Sequence, residues 1–193
     1  SVDNLKLNSD SRTSTTWTGN DTDGYTYSFD IANSLAGTTY TIKKGDGISI
    51  TSQGHGSANI SESTFNCAGG ISVKGGKVNA SDCTFNGTDE ESLGSAIYMT
   101  SVADKNNKLT VSGGKYNTRN SGINVDSRNA AVDVTLKGNI EFNHTAEYGD
   151  LTLFPMFEPI KSQVNLHLDE LTTQNLNMYV PSTEYEGAIT CEY

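Results

Sequence analysis

The chain has 193 residues, 34% of them hydrophobic and 19% charged, with 19 Gly and only 3 Pro. This balance excludes a charge-rich disordered chain, and short alternating runs of Val, Ile, Thr and Tyr in place of helix formers point to an all-β protein. A formal net charge of −10 repels phosphates and anionic lipid heads, so neither nucleic acid nor membrane insertion is expected, and no apolar run approaches a membrane span.

Residues 1–24 are polar apart from Trp17 and read as a cap or linker. Within them Asn20-Asp21-Thr22-Asp23-Gly24 resembles part of a calcium loop but lacks the later Glu. No cofactor is expected, calcium being the one candidate. Tyr25, Tyr27, Phe29 and Ile31 then alternate, and Thr39-Tyr40-Thr41-Ile42 follows, so an irregular first coil is expected there.

From Ile48 a pattern recurs. Ile48-Ser49-Ile50, Ile71-Ser72-Val73, Ile97-Tyr98-Met99, Ile123-Asn124-Val125 and Leu151-Thr152-Leu153 start 23, 26, 26 and 28 residues apart. Such a period signals a solenoid. A second alternating strand follows each: Ala58-Asn59-Ile60, Val78-Asn79-Ala80, Leu109-Thr110-Val111, Val134-Thr135-Leu136 and Val164-Asn165-Leu166. Parity breaks at a polar turn such as Glu62 or Asp82. A third strand then turns Ser63 and Phe65, Cys83 and Phe85, Gly114 and Tyr116, and Ile140 and Phe142 inward.

Stacked at strand spacing, Phe65, Phe85, Tyr116 and Phe142 form an internal column, and Asn66, Asn86, Asn117 and Asn143 form a ladder at one corner. The corner suits Asn, which tolerates left-handed backbone. The expected fold is a right-handed parallel β-helix with three short strands per coil and about 5–7 coils. It forms one domain: 1–24 cap or linker, 25–171 coils, and 172–193 last strand or C-terminal cap, because the register fades after Leu171. A β-sandwich with hairpin-linked strands is the alternative.

With Phe85-Asn86 ahead of Gly94-Ser95-Ala96-Ile97-Tyr98, the chain over about residues 45–155 resembles the polymorphic membrane protein repeats of bacterial autotransporters. Those repeats combine Gly-Gly-Ala-Ile with Phe-x-x-Asn in a β-helical passenger; here the Asn follows Phe directly. The resemblance implies the broad pectin-lyase-like β-helix group of adhesins, phage tailspikes and polysaccharide lyases or hydrolases. It carries over no catalytic residue.

Polysaccharide cleavage needs paired carboxylates, or a cation with a base, on one face. The outward residues of the repeated strands are Ser, Thr, Asn and Tyr98, with Lys115 beside Glu141 as an ion pair. Charged candidates sit in loops: Asp126 and Arg128 facing Asp104 and Lys105, and the acidic insertion with Asp89 and Glu90. His55, His144 and His167 share no spacing, so no metal site is expected. Cys83 is expected inside, offset from Cys67 so that they do not pair.

The expected function is a non-enzymatic module of a bacterial surface protein, extracellular or on the cell surface. It acts in adhesion to glycan, host protein or itself, or as a stalk. Tyr98, Asn124, Asp126, Phe154 and Phe157 are the expected ligand contacts, the last two in the loop 154–163. The alternative is a polysaccharide-degrading enzyme or phage tailspike fragment using Asp126, Arg128, Asp89 and Glu90.

Overall fold

The computed structural model describes residues 7–8, 15–20, 24–29, 33–36, 39–41, 48–51, 57–66, 69–87, 94–103, 106–144, 149–154, 163–180 and 189–193. Its described residues form strands and no helix.

The N-terminal strands are β1 (Leu7–Asn8), β2 (Thr15–Asn20), β3 (Gly24–Phe29), β4 (Asn33–Ala36) and β5 (Thr39–Thr41). Two strand triplets follow: β6 (Ile48–Thr51), β7 (Ser57–Ser61) and β8 (Thr64–Asn66), then β9 (Ile71–Lys74), β10 (Lys77–Ser81) and β11 (Thr84–Gly87). Pairs come next: β12 (Ile97–Thr100) with β13 (Lys108–Thr118), and β14 (Ile123–Asp126) with β15 (Val132–His144). The last are β16 (Leu151–Phe154) with β17 (Val164–Leu171), and β18 (Met178–Tyr179) with β19 (Ile189–Glu192).

The chain alternates between two sheets. An eight-stranded sheet runs β18-β16-β14-β12-β9-β6-β3-β2, and an eleven-stranded sheet takes the others. Within the first, Ile48, Ile71, Ile97, Ile123, Leu151 and Met178 are successive partners in parallel register. Within the second, β13 bridges two branches, pairing β10 with its first half and β11 with its second. Parallel pairing removes the hairpin-linked sandwich, which joins sequential strands antiparallel. Among the described strands only the N-terminal edges are antiparallel: β2 lies on β3, and β1 on β4. The presumed cap thus supplies edge strands, covering backbone groups that an open sheet would expose.

Three sequence expectations are corrected. The second and third strands do not stay separate: β13 and β15 run unbroken through the corner, with register shifts between Ser112 and Gly114 and between Lys137 and Gly138. Gly113, Gly114 and Gly138 take positive φ there, so the corner becomes a bulge inside one strand. Next, Val134 pairs with Leu166, not Val164, which slips the last second-strand triplet by two residues to Leu166-His167-Leu168. A two-residue slip keeps every side chain on its face, so alternation alone cannot fix it.

Beyond Leu171, in the stretch read as last strand or C-terminal cap, β18 and β19 continue both sheets in parallel. Finally, the ladder asparagines lie in extended strand backbone; the non-glycine left-handed residues among those described are Glu62, Asp82 and Glu170. An extended backbone holds the amides one strand spacing apart, where they can bond.

One buried cluster draws on both sheets, including Ile71, Val73, Ile97, Met99 and Ile123 from the first and Val78, Leu109, Val111, Val134 and Leu136 from the second. Phe65 and Phe85 stack at 4.8 Å with 10° between planes; Tyr116 follows at 4.8 Å and Phe142 at 5.2 Å, both tilted. Small residues enter the first-sheet strands because these rings lie against them: a Cβ on Gly70 would sit 2.3 Å from Phe85 Cδ1 and 2.4 Å from the Ala96 carbonyl oxygen.

The column has one flaw. The Tyr116 hydroxyl is buried with no hydrogen-bond partner among the described residues, and an orphaned buried hydroxyl costs about 1–3 kcal/mol. Tyr116→Phe keeps the ring and is expected to stabilise the protein by about 1–2 kcal/mol, read as a higher urea midpoint at unchanged slope. A destabilised variant would mean the hydroxyl is satisfied.

Candidate functional site

The outer face of the first sheet carries two rows in register. One runs Ser72, Tyr98, Asn124, Thr152, and the other Lys74, Thr100, Asp126, Phe154. The first row is not open along its length. Tyr98 is 37% exposed, Asn124 is half-buried and Thr152 is buried. Asn124 Oδ1 is enclosed with no partner among the described residues.

Asp126 ends β14 and is buried, although its parity points outward. The reason lies in the following turn. Arg128 N donates to Asp126 Oδ1 at 3.1 Å, a carboxylate capping its own turn two residues on. Arg128 Nε donates to Oδ1 at 2.8 Å and to Oδ2 at 2.9 Å, and Nη2 also donates to Oδ2. Tyr98 Oη completes the set with a longer 3.4 Å bond to Oδ2.

This turn is anchored from the neighbouring level. Ser101 Oγ accepts from Asn129 N at 3.0 Å and Ala130 N at 3.1 Å, while Asn129 Nδ2 donates to the Ser101 carbonyl at 3.1 Å. Ser101 N donates to the Asp126 carbonyl oxygen at 2.8 Å. The backbone that places Arg128 over Asp126 is therefore held by four hydrogen bonds to one serine.

Burial pushes the Asp126 carboxyl upward. The hydrogen bonds and charge of Arg128, with the Tyr98 hydroxyl, outweigh it and hold the group below its ordinary value. A carboxyl depressed on folding adds stability above its unfolded-state value, and that stability is lost as pH falls through the folded-state value. Arg128→Ala strips the carboxylate of its charged donor and is expected to cost about 1–3 kcal/mol at neutral pH. The deficit should shrink as the pH falls below the ordinary carboxylate range and the lone group protonates. Urea unfolding at neutral and acid pH reads both; equal losses at both would deny the pairing its role.

The outer face of the second sheet presents two further rows. Lys77, Lys108, Asp133, Asn165 and Thr190 share one; Asn59, Asn79, Thr110, Thr135, His167 and Glu192 share the other. Side chains bond along them. Asn79 Nδ2 reaches Asn59 Oδ1 at 2.7 Å, Asn165 Nδ2 reaches Asp133 Oδ1 at 2.8 Å, and Thr190 Oγ1 reaches Asn165 Oδ1 at 2.9 Å. His167 Nδ1 lies 3.1 Å from Glu192 Oε2.

At the third corner each asparagine amide donates to its predecessor: Asn86 to Asn66 at 2.9 Å, Asn117 to Asn86 at 3.0 Å, and Asn143 to Asn117 at 2.9 Å. Beside this ladder Lys115 Nζ meets Glu141 Oε2 at 3.1 Å.

Cys83 lies in the core, where burial pushes its thiol up to about 11 and keeps it protonated and inert at neutral pH. Its Sγ leans on the Ser81 and Ile60 carbonyl oxygens at 3.4 and 3.7 Å. Cys67, Asp89, Glu90, Asp104, Lys105 and Phe157 lie outside the described residues, as do the side chain of Phe154 and the middle of the calcium-like stretch. Among the described residues no three His, Cys, Asp or Glu side chains group as metal ligands.

Of the sequence candidates, Tyr98, Asp126 and Arg128 come together, with Asn124 in the row beside Tyr98. Sequence reasoning missed Ser101, whose only signal is its place directly after a repeated strand. No helix of the described residues is long and apolar enough to cross a membrane.

No protein-family model, curated protein or solved structure matches the chain.

Proposed function

We propose that the chain is a right-handed parallel β-helix, three strand segments to a coil, serving as a non-enzymatic module of a bacterial surface protein. It works outside the cell as an adhesive surface for glycan, or as a stalk. The support for the fold is the repeated passage of the chain between two sheets, with β6, β9, β12, β14 and β16 of the first paired in parallel register. Each level leaves its apolar residues half covered, and the next level covers them.

The observation that carries the binding reading is the state of Asp126. The carboxylate that a polysaccharide-cleaving site would use is already committed to Arg128 and Tyr98 and is itself buried, while those two side chains stay exposed. The rows that remain outward offer hydroxyl and amide at Asn59, Asn79, Thr110 and Tyr98, with Lys77, Lys108 and Asp133 in the row beside them. Such a surface holds sugars by many weak hydrogen bonds and an aromatic platform.

The test is binding of the purified chain to an array of neutral and acidic glycans, run beside an assay for new reducing ends and unsaturated uronates. Glycan retention without cleavage is the expected result. Cleavage lost on Asp126→Asn would replace this reading with the polysaccharide-degrading one.

A further inference from the structure

The chain carries 13 Lys and Arg against 23 Asp and Glu, yet three lysines stand at the turn where the first sheet hands over to the second. Lys74 ends β9, Gly75 and Gly76 turn the chain with φ of 70° and 85°, and Lys77 opens β10. Lys108 opens β13 as the direct register partner of Lys77, and its amide donates to the Gly76 carbonyl oxygen at 2.9 Å. All three side chains are exposed.

Register partners lie about 4.8 Å apart, and like charges so placed repel. None of the three lysines forms a salt bridge with a described residue. Asp133, next in the row after Lys108, accepts from Asn165 at 2.8 Å instead. Asp133 is the one described acidic side chain in that row, so the three lysines keep a local positive excess that a bound oxyanion would offset.

The neighbourhood narrows the ligand. Two residues along the same strands, roughly 6.6 Å away, stand Asn79 and Thr110, with Asn59 bonded to Asn79. That interval fits one sugar ring, with its carboxylate or sulfate on the lysines and its hydroxyls on the amide and hydroxyl row. The net negative charge opposes a polyanion only at long range, since screening at physiological salt acts over about 8 Å.

Building on the glycan-binding reading above, we infer that Lys74, Lys77 and Lys108 form a subsite for the carboxylate or sulfate groups of an acidic polysaccharide, with Asn79 and Thr110 contacting its hydroxyls. Duplex DNA lacks sugar hydroxyls at the needed places and is bound no better than background.

The experiment measures retention of the intact chain by immobilised heparin, hyaluronan, dextran and duplex DNA across a salt series. Heparin carries sulfate and carboxylate, hyaluronan carboxylate alone, and dextran neither. The expected result is binding to heparin or hyaluronan above dextran and DNA, with heparin alone assigning sulfate and both assigning carboxylate. The doubly substituted Lys77→Gln/Lys108→Gln chain should bind roughly tenfold more weakly with a shallower salt dependence, and Lys74→Gln should fall between. Unchanged melting temperatures exclude misfolding of these surface variants. Equal retention of wild type and variants, or dextran retained as well as heparin, overturns the subsite while leaving glycan adhesion standing. DNA bound as tightly as heparin overturns it in favour of general polyanion attraction. No retention by any polysaccharide, acidic or neutral, overturns both.

Discussion

Phe85→Ala is expected to destabilise the protein by about 3–5 kcal/mol, the largest loss available from a single core truncation here. Phe85 is buried between two rings, Phe65 stacked on it and Tyr116 tilted against it, each 4.8 Å away. Its edge also fills the space over Gly70, where even a Cβ would approach to 2.3 Å. Truncation thus opens a void bounded by rings held in register by the strands on either side, which cannot close inward without breaking the pairing of β8, β11 and β13. Equilibrium urea unfolding gives the number. A loss under 1 kcal/mol would mean that the rings are not a column.

Gly114→Ala is expected to cost about 3–4 kcal/mol, from two sources that add. Gly114 has φ of 101°, outside what an L-residue readily adopts, and its added Cβ would lie 2.4 Å from the Cys83 carbonyl oxygen and 3.0 Å from Cys83 N. Those contacts are backbone, so no side chain can turn away. Gly138 is the control. Its φ is 69°, but its nearest foreign atoms are 3.6 and 3.9 Å from an added Cβ. Gly138→Ala should therefore cost only the left-handed penalty, about 1–2 kcal/mol. Equal losses at the two sites, measured by thermal or urea unfolding, would show that the corner is not the tight bulge described.

Both effects come from the part of the chain that was most readable. The aromatic and asparagine recurrences encode their positions directly, because a stacked level repeats the same environment and so the same residue types. The apolar-x-apolar triplets likewise identified the strands of the first sheet and their partners. What misled was anything that alternation leaves degenerate. The two-residue slip at Leu166 keeps the same face inward. The stretch 172–193 reads as either last strand or cap because β18 and β19 are short, partly exposed segments without a strong apolar signal.

The backbone at the corner was misread for a different reason. Asn suggests left-handed geometry by itself, yet here its amide is used for the ladder, and Glu62, Asp82 and Glu170 take the left-handed positions. The site was legible as a set of residues and not as a state. Asp126 and Arg128 are two apart and invite pairing, but burial of the carboxylate depends on Tyr98 from a strand 26 residues earlier in register and on the turn held by Ser101.

Residues 31 apart in sequence, such as Asn79 and Thr110, lie side by side in parallel strands. Asn79→Cys with Thr110→Cys, in a chain whose Cys67, Cys83 and Cys191 are replaced by Ala, tests it by oxidation and mass spectrometry of the digested product. Register partners at about 4.8 Å fall within disulfide reach, whereas an offset of two residues on one strand does not. Rapid, near-complete cross-linking of 79 to 110, and none when Ser112→Cys replaces Thr110→Cys, is the predicted result. Cross-linking through position 112 in preference to 110, or through neither, would contradict the parallel register and the coil-upon-coil account built on it.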